Sequence, residues 1–523
     1  MFFKKILKKI TLPKGAEFVW ISTIIALASF LRLYKISDYM TFLGDEGRDM
    51  LVAKAILDGN LTLLGPRASA GDFFLGPIYY YMITPFLWLS RLDPVGPAIM
   101  VALFGIATVY LVYYVGKTFF SSKAGLFAAG LYAVSPLVIA YSRSSWNPNP
   151  MPFFALLSLY LLYVAVQNGS WKLFLFVGFL LGISMQLHYL SVFLGVIIFL
   201  FVLIGMQFVK KGFQIVQYVK NYLLLGGGFL IGLSPFLLFE ARHNFPNIKT
   251  IFGFIFMDNV SRSYITNQSF LTVVKDVFFR LFARLVTKFP PPEQVAISES
   301  PFLVALQIGT FVFAIVTIVY LFMHKDKLKV LLLSVWLFVG ILLFGIYKRP
   351  IYDYYLGFMF PLPFLLVGNF LSKVSDISKK TKIGLYLSIA LFSILFVYNL
   401  WGSPFRYPAN RQKDQAKTIA DFVLSKTDGK SFNFALITDG NSDHVYRYFF
   451  EVAHREPVTL QSTSIDPQRK SVTQQLLIVC ENLACQPLGN PLWEVAGFGR
   501  AVIVGQWDVS VVKVYKLVHY SES

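Results

Sequence analysis

The stretch Phe73–Leu89 reads FFLGPIYYYMITPFLWL, and whether it crosses a membrane decides the fold. It is apolar and about 17 residues long, but Gly76, Pro77 and Pro85 interrupt it and Tyr79, Tyr80 and Tyr81 follow one another. The rest of the chain settles the medium around it. Of 523 residues 56% are hydrophobic and 14% charged, and the mean hydropathy is +0.60. A soluble domain carries roughly 25% charged residues, and much of its area must face water. Soluble enzyme, disordered tail and disulfide-rich secreted scaffold are therefore excluded, and the chain reads as a polytopic membrane protein.

A span needs about 20 apolar residues. Eleven stretches qualify: 17–36, 97–116, 124–141, 151–167, 173–187, 190–209, 221–239, 301–323, 330–347, 355–372 and 383–401. The segment MFFKKILKKITLPKG before the first is basic. Ala26-Leu27-Ala28 resembles a cleavage site, but the apolar run continues past it, so this is read as an uncleaved first span with its tail inside. If 73–89 does not cross, the short inner loops hold 13 lysines, from Lys117 to Lys382, and the short outer loops only Arg143, Lys348 and Arg349. If it crosses, the bias inverts. Because Lys and Arg collect on the cytoplasmic side, 73–89 is expected to lie as an interfacial or re-entrant helix on the outer side. That leaves about 11 spans, two large outer loops (37–96 and 240–300) and an outer C-terminus; the loop 240–300, with Pro290-Pro291-Pro292, is expected to cover the outer face as a lid. The net charge of +19 belongs to these loop lysines and not to a nucleic-acid surface.

Residues 1–401 form the expected transmembrane domain, and 402–523 hold no span. There, helical patterns at Gln412–Leu424 and His444–His454 alternate with strand-like runs at Phe432–Thr438, Val458–Leu460, Leu476–Val479, Ala501–Val504 and Val509–Val518. The alternation predicts a small extracytoplasmic α/β domain. Cys480 and Cys485, the two cysteines of the chain, exclude a disulfide framework. They lie where a disulfide is permitted, and pairing and two free thiols are both open.

Polar groups held at a membrane face default to function. Gly44-Asp45-Glu46-Gly47-Arg48-Asp49 opens the first outer loop. A carboxylate there can take a proton from an acceptor hydroxyl or bind a divalent cation, magnesium or manganese. Asp45 and Glu46 diverge by about 100° if helical, so they do not share one target. Asp45 also reads as the N-cap of a helix over 48–58. The second outer loop carries Arg143, suited to a phosphate, together with Asn147. His188-Tyr189 breaks the apolar stretch 173–209 at an outer turn. Glu240, Arg242 and His243 stand at the exit of span 221–239, and Arg349, Tyr354 and Tyr355 at the start of 355–372. Each reads alone as interfacial anchoring, but all fall on one side of the membrane. Together they describe an outward-facing site open to lipid. There is no phosphate-binding loop, dinucleotide fingerprint or zinc spacing, so no nucleotide cofactor is expected.

This pattern resembles the GT-C superfamily of polytopic glycosyltransferases, in particular glycosyltransferase family 39, the protein O-mannosyltransferase-like enzymes, and the aminoarabinose transferase that modifies lipid A. The resemblance covers about 17–400. It is carried by Asp45-Glu46, the run Leu75-Gly76-Pro77-Ile78-Tyr79-Tyr80-Tyr81, the loop Ser142–Pro148 and Tyr354-Tyr355-Leu356 before Pro361. It implies an α-helical GT-C fold and a polyprenyl phosphate sugar as donor. It further implies transfer, with inversion, to a glycan, lipid or protein hydroxyl on the outer face, with Asp45 as base. The chain departs in two respects: several relatives carry an acidic residue in the loop where Asn147 and Asn149 stand, and some a lysine where Gly76 stands. The competing class is a transporter or lipid flippase without chemistry. It requires ionisable groups in mid-span and broken helices, whereas these charges gather at span ends.

Overall fold

The computed structural model describes residues 13–68, 71–209, 214–256, 268–290, 300–347, 349–377, 381–482 and 484–520. The basic tail, the loop lysines Lys210, Lys211, Lys348, Lys379 and Lys380, and Pro291-Pro292 of an expected lid lie outside them.

All eleven apolar stretches are helical. Among the described residues seven helices are long and apolar enough to cross a membrane, and up to nine if each of two bent pairs counts as one span. The other two stretches form shorter helices, Trp171–Leu187 and the pair Ser122–Val134 and Pro136–Tyr141. The second break has a local cause. Proline disfavours helix at the residue before it and has no N–H to donate. Ser135, ahead of Pro136, is extended and gives its hydroxyl to the Leu285 carbonyl at 2.7 Å. Ile215–Gly232 bends by 72° into Ser234–Arg242, and Asp353–Met359 by 56° into Pro361–Ser375.

Burial sorts the helices. Met151–Asn168 has 67% of its span buried and stands in the centre. Ala16–Leu33, Pro301–Phe322 and Ile383–Leu400 have 22%, 17% and 22% buried. Their exposed Phe, Val, Ile and Leu form the apolar girdle of a multi-pass membrane protein.

The run that decided the topology is the helix Ile78–Leu89 with Pro85 inside it. At 12 residues it is about 18 Å long, too short for a hydrocarbon core of about 30 Å. Its N-terminus is tied down by Gln186, which accepts from the Ile78 N–H at 3.1 Å and donates to the Gly232 carbonyl at 2.6 Å. That contact explains Gly76, where a Cβ would fall 2.3 Å from the Gln186 amide oxygen.

After Ile383–Leu400 the chain forms a four-stranded sheet: β1 (Asn433–Ile437), β2 (Gln475–Cys480), β3 (Ala501–Val509) and β4 (Val512–His519), in the order β1-β2-β4-β3. β1 and β2 are parallel, and β4 is antiparallel to both its neighbours. β2 is buried along its whole length. Cys480 and Cys485 are disulfide-bonded. The two expected C-terminal runs form one hairpin, the first extended to Val509 and the second starting at Val512. Val458–Leu460 is not a strand: only the Val458 N–H reaches the Phe432 carbonyl, and Leu460 is instead buried beside Val495 and Phe498. Helices Gln412–Ser425 and His444–Val452 cover the sheet and pack on the segment 36–57 that follows the first span.

Candidate active site

The helix Gly44–Leu57 carries the acidic pair. Asp45 is not its N-cap, and the helix starts four residues before the expected 48. Leu43 is the N-cap, and its N–H donates to Glu46 Oε2 at 3.0 Å in a capping-box arrangement. The N3 acid therefore satisfies the helix start, and Asp45 turns outward with its side chain 57% exposed.

Arg48 Nη1 meets Asp45 Oδ1 at 2.8 Å. Its Nε and Nη2 both donate to Asp49 Oδ1, at 3.0 and 2.7 Å. One guanidinium thus ties an outward acid to a fully buried one. Burial pushes Glu46 up to about 7, assisted by Asp45 and Asp49 and opposed by the Leu43 N–H. Burial likewise lifts Asp49 to about 7, against the pull of Arg48. Burial works against the charge on Arg48 too, but Asp49 and Asp45 more than offset it and hold the guanidinium ionised.

Asp45 stands where two hollows meet. The larger, a cleft of about 620 Å³, is walled by Thr41 and Leu43–Glu46, by Ala140, Tyr141, Ser144, Trp146 and Asn149, and by Gly440, Asn441 and Ser442. The smaller recess is lined by Asp45, Arg48, Arg67, Ala68, Leu75, Trp146, Asn147, Pro148, His188, Tyr189 and Tyr354. Its wall is aromatic. Trp146 and Tyr354 lie 4.3 Å apart between ring centres, His188 stacks on Tyr189 at 4.7 Å, and Tyr355 packs behind them 5.0 Å from His188. The Tyr189 hydroxyl meets that of Tyr347 at 2.6 Å, and Arg349 is half-buried and lines neither hollow. Asn147 is fixed by a 2.6 Å bond from Nδ2 to the Leu187 carbonyl.

The structure thus gathers Asp45, Arg48, Asn147, His188, Tyr189 and Tyr354 around one recess, with Glu46 and Tyr355 beside it. Other expected residues are used elsewhere. Arg143 is buried, and its guanidinium donates to the carbonyls of Leu31, Tyr34 and Lys35 at 2.8, 2.8 and 3.0 Å. It pins the end of the first span and does not reach for a phosphate. Glu240 is buried, accepting from Asn247 Nδ2 at 2.7 Å and the Ile248 N–H at 3.0 Å. It thereby caps the helix Pro246–Phe256. His243 stacks on Phe239 at 4.1 Å, and Arg242 is exposed; neither lines the cleft or the recess. His188 is not a cation either, because burial pulls it down to about 3. The expected lid 240–300 is in part a packed helix, Phe270–Ala283, with Val277, Leu281 and Phe282 fully buried.

Sequence reasoning missed Arg67, held by Asp72, because nothing local marks it. It also missed the wall formed by 440–442. A signal for that wall was present: Gly44 and Gly47 lie three residues apart on one helix face. A Cβ at Gly44 would meet the Ser442 backbone nitrogen at 2.8 Å, and one at Gly47 the Val445 nitrogen at 2.5 Å. These glycines admit the C-terminal domain.

For a divalent cation the donor set is thin. Among the described residues no group of three or more His, Cys, Asp or Glu is arranged to hold a metal. Asp45, Glu46 and Asp49 each already have the partners named above.

Residues 75–239 match the family described as dolichyl-phosphate-mannose-protein mannosyltransferase. A sequence search of curated proteins finds no match. Among solved structures, ArnT from Cupriavidus metallidurans in the apo state superposes with a TM-score of 0.63 at 12% identity, over 96% of this chain and 98% of that one. The same protein bound to undecaprenyl phosphate gives 0.62 at 11% identity over the same shares. The oligosaccharyltransferase AglB from Archaeoglobus fulgidus, in complex with an inhibitory peptide and a dolichol-phosphate, gives 0.50 at 12% identity over 88% of this chain and 69% of that one. Over nearly its whole length the chain thus shares the fold of ArnT, and residues 75–239 match the mannosyltransferase family.

Proposed function

We propose that the protein is an integral-membrane glycosyltransferase that moves a sugar from a polyprenyl phosphate to an acceptor hydroxyl at the extracytoplasmic face, with Asp45 as general base. The observation that carries this reading is the position of Asp45 between an open cleft and a recess holding Arg48, Arg67 and neutral His188. The fold is that of a protein captured with undecaprenyl phosphate, and the matched family is named for a dolichyl phosphate sugar donor.

The acceptor occupies the cleft, and the donor's phosphate lies in the recess while its prenyl tail stays in lipid. Asp45 takes the hydroxyl proton as the oxygen bonds to the anomeric carbon. The bond from that carbon to the phosphate oxygen breaks, and its electron pair leaves with the phosphate. Attack from the cleft and departure into the recess invert the anomeric centre. Arg48 and Arg67 meet the growing phosphate charge, the kind of contact worth about 2.7–4 kcal/mol when removed. Arg48 also orients Asp45 through Oδ1. The aromatic wall of Trp146, Tyr189 and Tyr354 gives the sugar a face to lie on.

The test is release of prenyl phosphate by purified protein given prenyl phosphate sugars. Asp45→Asn is nearly isosteric and does not accept a proton, so turnover should fall by about 10²–10⁴-fold, the usual scale for a general base. A folded Asp45→Asn protein turning over at the wild-type rate would remove Asp45 from this role.

A further inference from the structure

Three hydrogen bonds converge on Glu481 in the C-terminal domain: from Thr438 Oγ1 at 2.7 Å, Asn441 Nδ2 at 2.8 Å and the Tyr446 hydroxyl at 3.0 Å. Glu481 is anchored in its turn. It follows Cys480, the last residue of β2, its N–H donates to the Ile437 carbonyl at 3.0 Å, and the Cys480–Cys485 disulfide closes the chain around it. The other end of the Asn441 amide faces the membrane domain. Its Oδ1 accepts from the Gly44 N–H at 2.8 Å, across 397 residues of sequence, and from the Ser442 N–H at 2.9 Å.

Gly44 is the first residue of the helix that carries Asp45. The first N–H groups of a helix have no partner within it, and the apolar N-cap Leu43 has no side-chain acceptor to offer. Glu46 satisfies Leu43, and Asn441 satisfies Gly44. We propose that Asn441 is a positioning residue for Asp45. Held by Glu481, it fixes from the C-terminal domain the first turn of the helix on which the base stands. An amide suits the place because it accepts toward Gly44 while donating toward Glu481. The missing Cβ of Gly44 lets the two backbones come close enough for this contact.

This proposal rests on the reading of Asp45 as the base, and the experiment separates the two. Full-length Asn441→Asp, Glu481→Gln and the double variant are assayed for prenyl phosphate release and thermal unfolding, beside Asp45→Asn. Asn441→Asp keeps the acceptor for Gly44 but sets a second carboxylate against Glu481. We expect kcat to fall by about 10²-fold, the scale of a 1 Å misplacement, with the donor KM within about twofold of wild type. In the double variant the bond reverses, the amide introduced at position 481 donating to the carboxylate introduced at position 441, and most of the kcat should return. A folded Asn441→Asp with wild-type kcat, or a double variant no better than the single, overturns the proposal. If Asn441→Asp does not fold, Asn441→Gln keeps both amide groups one methylene further out. Lowered kcat at constant donor KM then supports the proposal, and unchanged kcat overturns it. An inactive Asp45→Asn beside fully active Asn441 variants removes only the positioning role. An active Asp45→Asn removes the base itself.

Discussion

Asp45 and Glu46 are neighbours with opposite surroundings. Asp45 is 57% exposed on its side chain and faces the cleft, whereas Glu46 is 5% exposed and serves the helix start. That difference predicts a pH dependence of stability. Below about 4.5, the ordinary value for Glu46, both folded and unfolded chains hold its proton. Between 4.5 and about 7 the unfolded chain releases it while the folded one keeps it. Stability therefore falls as pH rises through that window, and the cost stays constant above it. Glu46→Gln keeps an acceptor for the Leu43 N–H and removes the titration. Its thermal stability relative to wild type should improve between pH 5 and pH 8, by up to about 3 kcal/mol on the linkage scale. Unfolding in detergent at several pH values measures it, and a gap that does not change with pH would refute the assignment. The acids themselves were legible in the sequence because charge at a membrane edge is costly. Their division of labour was not, since it depends on which face of the helix the C-terminal domain covers.

At the scale of elements, one close helix pairing is made by glycine. Gly178 and Gly182 on Trp171–Leu187 face Gly228 and Gly232 on Ile215–Gly232, each pair spaced by four residues. A Cβ at Gly178 would lie 2.0 Å from the Leu225 carbonyl oxygen, and one at Gly228 would lie 1.9 Å from that of Leu175. Small residues at this spacing let helix backbones touch in lipid, where the hydrophobic effect does not drive helices together. The run Gly226-Gly227-Gly228 allows a controlled test. Gly228→Ala forces the helices apart and should cost about 1–3 kcal/mol, as overpacking does. Gly226→Ala meets nothing within 4 Å and should leave the melting temperature unchanged or slightly higher. Equal losses in the two variants would mean that the close contact is not what these glycines serve. The same pairing carries Gln186 and, through it, the start of Ile78–Leu89. The glycines thus reach the edge of the recess.

For the whole molecule, the proposed reaction needs Asp45 and the C-terminal domain on the outer side. The lysine bias of the loops predicts that orientation. The two native cysteines are bonded to each other, so a single added cysteine is the only expected thiol. Lys470→Cys, on an exposed turn of the C-terminal domain, should react with a membrane-impermeant reagent in intact cells. Lys325→Cys, between Pro301–Phe322 and Lys327–Ser334, should react only after permeabilisation. The reverse pattern would put the cleft in the cytoplasm and sink the outward-facing reading. Attachment of the C-terminal domain is extensive. Lys413 pairs with Asp93 at 3.1 Å, Tyr448 donates to the Leu92 carbonyl at 2.6 Å, and Phe42 packs on Tyr448 and Phe449. The domain is built onto the loop that follows the first span, so the cleft has a wall from each.

The amino-acid sequence alone determined the membrane class, the helical stretches, a short helix within 73–89 and the acidic pair after the first span. These follow from local composition, because the bilayer penalises every charge and every interruption in its core. Which polar groups meet was decided only by the tertiary structure. Arg143, Glu240 and Arg48 look alike as charged residues beside spans. Arg143 was drawn onto the carbonyls ending the first helix, Glu240 onto the start of another, and Arg48 alone of the three onto the acids of the cleft. Unsatisfied helix ends compete for every nearby ionic side chain, and the outcome depends on long-range packing that no short window of sequence contains. The same holds for Asn441, whose role exists only because Gly44 lies 2.8 Å from it.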